Sequence, residues 1–272
     1  MAERFDSWES YFYPETYDAR IGQGVMRNLL GWRDRDALSG YEYRMTGVRQ
    51  RQLVAQPDLV AHTFDAAHVR AIHRYLFQDV YEWAGQYRTV NMSKGFGRGF
   101  GDVDTGEVDR YLADVRRLVE RTPWAGLNRQ EFGEQAATVF AYLNQAHPFR
   151  EGNGRTSKVF MEHVSQLSGY TLDFDRVTPV EWNKASEFSR PDLDSYEPVP
   201  DSLVPVFQHL AVERAVAGAH PAEDVVPAHS LLSASYPRPA TEVTGPGGGP
   251  APAPPASGAY RPGRSAGPGR GE

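Results

Sequence analysis

The run from His147 to Lys158 constrains this chain more than any other stretch. Upstream of it, Phe132, Ala136, Val139, Phe140 and Leu143 recur at helical spacing. Downstream, Val159, Phe160, Val164 and Leu167 do the same, closed by Gly169. Between them stands His-Pro-Phe-Arg-Glu-Gly-Asn-Gly-Arg-Thr-Ser-Lys. Pro148 bars continuation of a helix and pushes His147 out of helical geometry. The first helix must therefore stop near Ala146, and the second must begin inside the run. Gly152 and Gly154 let the backbone adopt unusual dihedrals and approach a ligand closely.

A helix that starts in such a turn directs its first N–H groups outward, and its dipole favours an anion there. Arg155 and Lys158 add positive charge beside that phosphate cradle. Glu151 is an acid placed to hold a divalent metal against phosphate oxygens. His147 has the pKa range of a general base. The set suits phosphoryl or nucleotidyl transfer, which needs positioning and charge neutralisation more than covalent help. A Walker loop and a kinase signature set are both absent.

The rest of the chain reads as mostly α. Ile21, Val25, Leu29 and Leu30, ending at Gly31, predict a helix; another runs from about Asp36 to Met45. Asp65 is a candidate N-cap for a third, with Val69, Ile72, Leu76, Phe77 and Val80 on its apolar face. Val108, Leu112, Val115, Leu118 and Val119 predict a further helix. Thr178-Pro179-Val180-Glu181 reads as a capping box with proline in the first turn. A last helix is expected over about 202–216. The best strand signal is Gln86–Met92, followed by a Gly-rich stretch, which predicts a small β-hairpin between the third and fourth helices.

From Pro237 to Glu272 the chain is mainly Pro, Gly and Ala, and too little there could fill a core, so a disordered tail is expected. This divides the 272 residues into a catalytic domain over 1–219, a loosely ordered approach over 220–236 and the tail over 237–272. The chain has no cysteine, which excludes disulfides, zinc–thiolate sites and a cysteine nucleophile. Net charge is -6, so nothing global steers it to nucleic acid or a membrane. No signal peptide and no long apolar span are read, so a cytoplasmic location is expected, with export by a dedicated secretion system left open.

HPFREGNGRTSK closely resembles the signature of the Fic (Fic/Doc) family, HPFx(D/E)GNGRxxR, and IHRYLFQDVYEWAGQYRTVNMSKG resembles the part of Fic domains leading into their flap. The resemblance covers about residues 15–215 and implies a Fic-type helical bundle with a β-hairpin flap. It implies a protein adenylyltransferase that moves AMP from ATP, with Mg²⁺, onto a Ser, Thr or Tyr hydroxyl of a target protein, with pyrophosphate leaving. His147 would deprotonate that hydroxyl and Glu151 would bind Mg²⁺. Asn153, with the amides of Gly152 and Gly154, would form the anion hole. Arg155 would hold the outer phosphates, and Phe149 would anchor the loop. Tyr87, Arg88, Thr89, Val90, Asn91, Met92, Ser93, Lys94 and Gly95 would form the flap that takes up the target as an added strand.

The signature's final Arg is Lys158 here, which keeps charge but loses the bidentate fork. Doc-like relatives, which phosphorylate, carry Lys where this chain has Gly154, so Gly154 favours AMP transfer. Transfer of UMP, GMP, phosphate or phosphocholine, and a non-catalytic binding module, are the alternatives. The family's inhibitory pattern (S/T)xxxE(G/N) does not occur in this sequence. A separate antitoxin carrying it is the expected partner, and absence of such restraint is the alternative.

Several residues also have plainer readings. Asn153 could be a local side-chain cap, Arg155 and Lys158 solvated helix charges, and His147 a cap on the preceding carbonyls. Tyr75, Phe77, Tyr81, Trp83 and Tyr87 read as core rather than a base-stacking platform. Lys94 and Arg98 could contact phosphate or target, but as loop charges they also read as solvated. His62, His68, His73 and His163 lack a metal-ligand spacing. Arg261, Arg264 and Arg270 read as solvated tail charges.

Overall fold

The computed structural model describes residues 5–94, 99–214 and 241–242. Within them lie α1 (Arg35–Ala55), α2 (Ala66–Phe77), β1 (Met92–Ser93), α3 (Glu107–Arg121), α4 (Arg129–Ala146), α5 (Asn153–Ser165), β2 (Tyr170–Leu172), α6 (Pro179–Phe188), α7 (Val204–Leu210), β3 (Ala211–Glu213) and β4 (Thr241–Glu242). Side-chain caps start four of the helices. Asp34 accepts from Ala37 N, Asp65 from His68 N, and Asn128–Glu131 and Thr178–Glu181 form reciprocal capping boxes.

The core is built around α4, which packs on α3, α5 and α7. Its C-terminal half is buried almost all round, from Val139 to Ala146 apart from Tyr142. Gly133 permits the closest of these contacts: a Cβ there would lie 3.0 Å from the Gln208 backbone N. On the other side α2 packs on α1 and α5. The aromatic set falls as expected: Phe77, Tyr81 and Trp83 are buried, and Tyr75 and Tyr87 pack against the core.

Three expectations need correction. No helix forms over Ile21–Leu30; the segment turns, with bridges Phe12↔Met26 and Asp18↔Gln23. Gly22 sits at φ +61°, and Gly24 passes so close to Tyr17 that a Cβ would lie 3.1 Å from its Cα. Two of the four apolar residues, Ile21 and Leu29, are exposed, so the helical spacing was coincidental. Second, the last helix stops at Leu210, and Ala211–Glu213 instead pairs antiparallel with Tyr170–Leu172. That pairing satisfies an edge that a continued helix would leave open. Third, of Gln86–Met92 only Met92 is in a strand. The Met92 carbonyl there accepts from Phe100 N at 3.1 Å. The tail expectation lies outside the described residues except at Thr241 and Glu242, which form β4 antiparallel to β1. Arg261, Arg264 and Arg270, Arg98 and Gly95 also lie outside the described residues. Among the described residues no helix is long and apolar enough to cross a membrane.

Candidate active site

α4 ends at His147, whose left-handed backbone (φ 40°, ψ 57°) turns the chain away from the helix axis. The imidazole is buried, stacks on Phe100 at 3.7 Å, and places Nδ1 3.3 Å from the Asn144 carbonyl. A carbonyl only accepts, so Nδ1 carries the proton and Nε2 the lone pair. Burial pushes the imidazole pKa well below its usual value, and Lys94 and Arg88 add to this. The ring is therefore neutral at physiological pH, the form a base requires.

The turn that follows is held from inside. Phe149 is fully buried and stacks on His73 at 3.8 Å. Asn153 clamps it: Oδ1 accepts from Phe149 N at 2.9 Å and Nδ2 donates to Phe149 O at 2.6 Å. The structure thus places Asn153 first as a loop clamp. Its amide carries a second N–H in addition to the one given to Phe149. Gly152 adopts φ +83°, and a Cβ there would lie 2.3 Å from the Phe77 ring. Only glycine fits, for both backbone and space. Being glycine, it gives α5 no side-chain cap, unlike α1, α2, α4 and α6. The first amides of α5 are left to an outside acceptor.

The charges around the turn are paired with one another. Burial opposes ionisation of Glu151, but Lys94, Arg155, the Gly152 N–H and Arg150 outweigh it and hold the pKa below the usual carboxylate value. Its side chain keeps about 35% exposure and lies 3.7 Å from Arg155. Arg155 is itself buried, with a close ion pair to Glu42 of α1, a 3.3 Å bond to Thr46 and its guanidinium 4.7 Å from the Phe77 ring centre. Tyr81 donates to the same Glu42. Lys158 turns toward α6, its ammonium over the rings of Phe174 (4.8 Å) and Trp182 (5.2 Å). Burial lowers its pKa to about 8, against the pull of Glu162 and Asp175. A narrow cavity of about 20 Å³, lined by His147, Asn153, Gly154, Ser157, Trp182 and Asn183 among others, runs beside the turn.

The flap residues divide by role. Arg88 is buried and bonds to backbone: Nε to His147 O at 2.9 Å, Nη1 to Val90 O at 2.8 Å, and Nη2 to Gly101 O. Its own N–H donates to Pro148 O at 2.8 Å. It fastens the flap to the catalytic turn and is not presented to a target. Asn91 ties the flap to the following loop through Asp104 and Val103 N. Thr89 bonds to Phe5 O and lies 3.3 Å from the Tyr11 hydroxyl. Tyr87 packs under Arg70, at 5.3 Å. Val90, Met92 and Ser93 are buried. Lys94 brings its charge to the turn, where it acts on both Glu151 and His147.

Three supporting residues were not singled out from sequence. Glu42 is one; a carboxylate at helical spacing with Leu38 and Met45, on an otherwise apolar face, was its signal. His73 is the second: Nδ1 accepts from Gly85 N at 2.8 Å, so Nε2 carries the proton and donates to Glu151 O at 3.0 Å. Arg150 is the third, its guanidinium 3.8 Å from the Trp8 ring centre and close to Phe12. No local signal marks His73 or Arg150, because their partners come from distant segments. His62, His68 and His163 do gather, with nitrogens within 4.8 Å of one another. Their rings stack, however, His62 on His163 at 4.0 Å and 23°. Imidazole lone pairs lie in the ring plane, so stacked rings do not converge on one ion. His68 Nδ1 accepts from Phe64 N, and His68 Nε2 donates to His163 Nδ1 at 2.9 Å.

Comparison with known proteins agrees with this geometry. The Fic/DOC family pattern matches residues 63–165. Protein adenylyltransferase VbhT of Bartonella schoenbuchensis is 35% identical over 65% of this chain, which spans 35% of that longer protein. A Sinorhizobium fredii protein, named probable protein adenylyltransferase y4lH, is 37% identical over 58% of this chain and 79% of its own length. One of that type from Escherichia coli, Fic, is 31% identical over 69% and 88%. Among solved structures, the N-terminal Fic domain of a VirB-translocated Bep effector of Bartonella quintana, with bound ADP, superposes with a TM-score of 0.65 at 28% identity. It covers 76% of this chain and 96% of that one. BepC of Bartonella tribocorum, with bound AMPPNP, gives 0.64 at 26% identity, over 76% and 98%. With its signature turn, its helical frame and these relatives, the chain belongs to the Fic/DOC family.

Proposed function

We propose that this chain is a protein adenylyltransferase, transferring AMP from ATP to a Ser, Thr or Tyr hydroxyl of a target protein. The observation that carries this is the His147 tautomer. The Asn144 carbonyl accepts a hydrogen bond from Nδ1–H, which leaves the lone pair on Nε2 in a ring kept neutral by burial. Such a ring accepts the proton of an alcohol as its oxygen attacks the α-phosphorus and pyrophosphate departs. The names of the matched relatives support the same reaction, and nucleotides in the matched Bartonella structures support a nucleotide at this turn.

The chain's own groups divide the work. The amides of Asn153 and Gly154 at the start of α5, with the Asn153 side chain, receive the phosphate oxygens, while Gly152 N–H donates to Glu151 Oε1 at 3.0 Å. Arg155 and Lys94 supply positive charge on either side of Glu151. Glu151 fits a magnesium ion, because it is an ionised, partly exposed carboxylate of hard oxygen donors. When bound, the metal would neutralise charge on the phosphates. Lys158 keeps its place against Phe174 and Trp182 and contributes charge from the flank. Gly154, in place of a lysine, supports AMP transfer over phosphate transfer. A separate regulatory partner carrying (S/T)xxxE(G/N) belongs to the same proposal.

The test uses α-³²P-ATP, γ-³²P-ATP, Mg²⁺ and a bacterial lysate. Label from the α position that falls about 10²–10⁴-fold in His147→Ala is expected. Label only from the γ position would show phosphorylation instead. Nucleotide binding with no label from any donor would overturn the enzyme reading. Purification of the natively expressed protein without a small partner would remove the antitoxin from the proposal.

A further inference from the structure

β1 is two residues long and lies at the mouth of the site, running directly into Lys94. On one side of it Phe100 N donates to Met92 O at 3.1 Å. The other edge carries β4, with Met92 opposite Glu242 and Ser93 opposite Thr241. The strand that completes the flap therefore comes from the far C-terminal part of the chain.

The sequence explains why these residues can do so. Thr241-Glu242-Val243-Thr244 is an island of strand-favouring residues in a Pro-, Gly- and Ala-rich tail, bounded by Pro239 and Gly245-Pro246. An exposed strand edge offers unpaired N–H and C=O groups, and any compatible strand can take them up. A tethered segment does so at an effective concentration on the order of millimolar, so even a weak pairing competes with a free partner.

We propose that the chain fills the outer edge of β1, the edge on which the family resemblance has a target strand add, with its own Thr241–Glu242 segment, which a target must displace. This rests on the AMP-transfer reading, in which the flap takes up the target. The partner it fits is an extended, hydroxyl-bearing peptide of strand-forming residues. Phe100, which donates to Met92 O at 3.1 Å, stacks on His147 at 3.7 Å, so β1 and a strand paired with it are held close to the His147 turn.

The test uses the full chain without nucleotide. The probe is a fluorescent peptide of sequence Pro-Arg-Pro-Ala-Thr-Glu-Val-Thr-Gly-Pro, that of residues 237–246. Thr241→Pro removes a strand N–H from the segment, whereas Thr241→Val keeps its strand character. The amide of Ser93, which faces β4, should exchange faster in Thr241→Pro and regain protection when the peptide is added. The peptide should bind Thr241→Pro at least about 10-fold more tightly than the unaltered chain, with Thr241→Val like the unaltered chain. Equal peptide binding by both chains, including none to either, overturns the proposal. So does unchanged protection of the Ser93 amide. Neither readout involves AMP transfer, so failure here leaves the enzyme reading standing. Loss of transfer with intact docking would sink that reading alone.

Discussion

The turn at His147–Asn153 and the flap at Met92–Lys94 border the same site and are held by opposite means. The turn is over-determined. Asn153 clamps Phe149, Phe77 fills the space beside Gly152, His73 holds the Glu151 carbonyl, and Glu42 and Glu151 flank Arg155. The flap strand has two residues, and the strand beside it is borrowed from a distant segment. A phosphate cradle has to be in place before the reaction, because preorganised dipoles cost nothing to reorient. A docking edge has to open for each partner, so its own contacts must be weak enough to exchange. The contrast teaches that rigidity here follows the chemistry and exchangeability follows recognition.

The contrast can be broken most forcefully at Glu42. Glu42→Ala leaves Arg155 as a buried charge without its main partner, and we expect about 3–5 kcal/mol lost in urea unfolding. A loss below about 1 kcal/mol would mean that the turn is not braced from α1. Gly152→Ala comes next. It sets a Cβ against the Phe77 ring and forces alanine to a positive φ, for about 2–4 kcal/mol by the same measurement.

Acid sharpens the comparison further. Burial lowers the folded-state pKa of His73 to about 3, of His68 to about 4 and of His163 to about 3. In the unfolded chain they titrate near about 6.5. Between those values the unfolded state binds more protons, so the stability they allow is present above about pH 6.5 and is lost as pH falls below it. Each contributes a slope of up to about 1.4 kcal/mol per pH unit. His73→Asn should remove one such increment from the slope of urea midpoints between pH 7 and 5, and an unchanged slope would show that His73 is not held neutral.

Lys158→Met should change stability by less than about 1.5 kcal/mol, since it keeps the packing on Phe174 and Trp182. Its neighbour Glu162 has a pKa raised by burial to about 8, so at pH 7 no carboxylate is left stranded. A larger loss in unfolding would assign Lys158 to the braced turn. The smallest effect is expected at the borrowed strand. Thr241→Pro should leave the unfolding midpoint within the scatter of a surface substitution, about 0.5 kcal/mol. A clear loss there would put the flap with the turn and erase the contrast.

Much of the site was legible from sequence because its chemistry is local. Pro148, Gly152, Gly154 and the capping residues Asp65, Asn128 and Thr178 act on their own few residues of backbone. The helix boundaries they mark therefore appear as read, except that Asn128 was recognised only in the structure. Ile21–Leu30 misled because apolar spacing carries no information on whether Gly22 and Gly24 must turn. The end of the last helix misled because Ala211–Glu213 is claimed by β2, a partner no local pattern reveals. Asn153 showed the reverse: its plainer reading as a local clamp is the contact the structure contains.

By itself the sequence determined the helical frame, the break at His147 and the identity of the groups gathered around a phosphate cradle. Backbone sterics and hydrogen-bond capping act within a few residues, and they are written in residue order. Only the tertiary structure decided which of those groups is buried, which tautomer His147 keeps, that Glu42 and His73 brace the turn, and that the flap is completed by Thr241–Glu242. Those outcomes depend on desolvation and on partners brought together from segments far apart in the chain, and a one-dimensional pattern does not contain either.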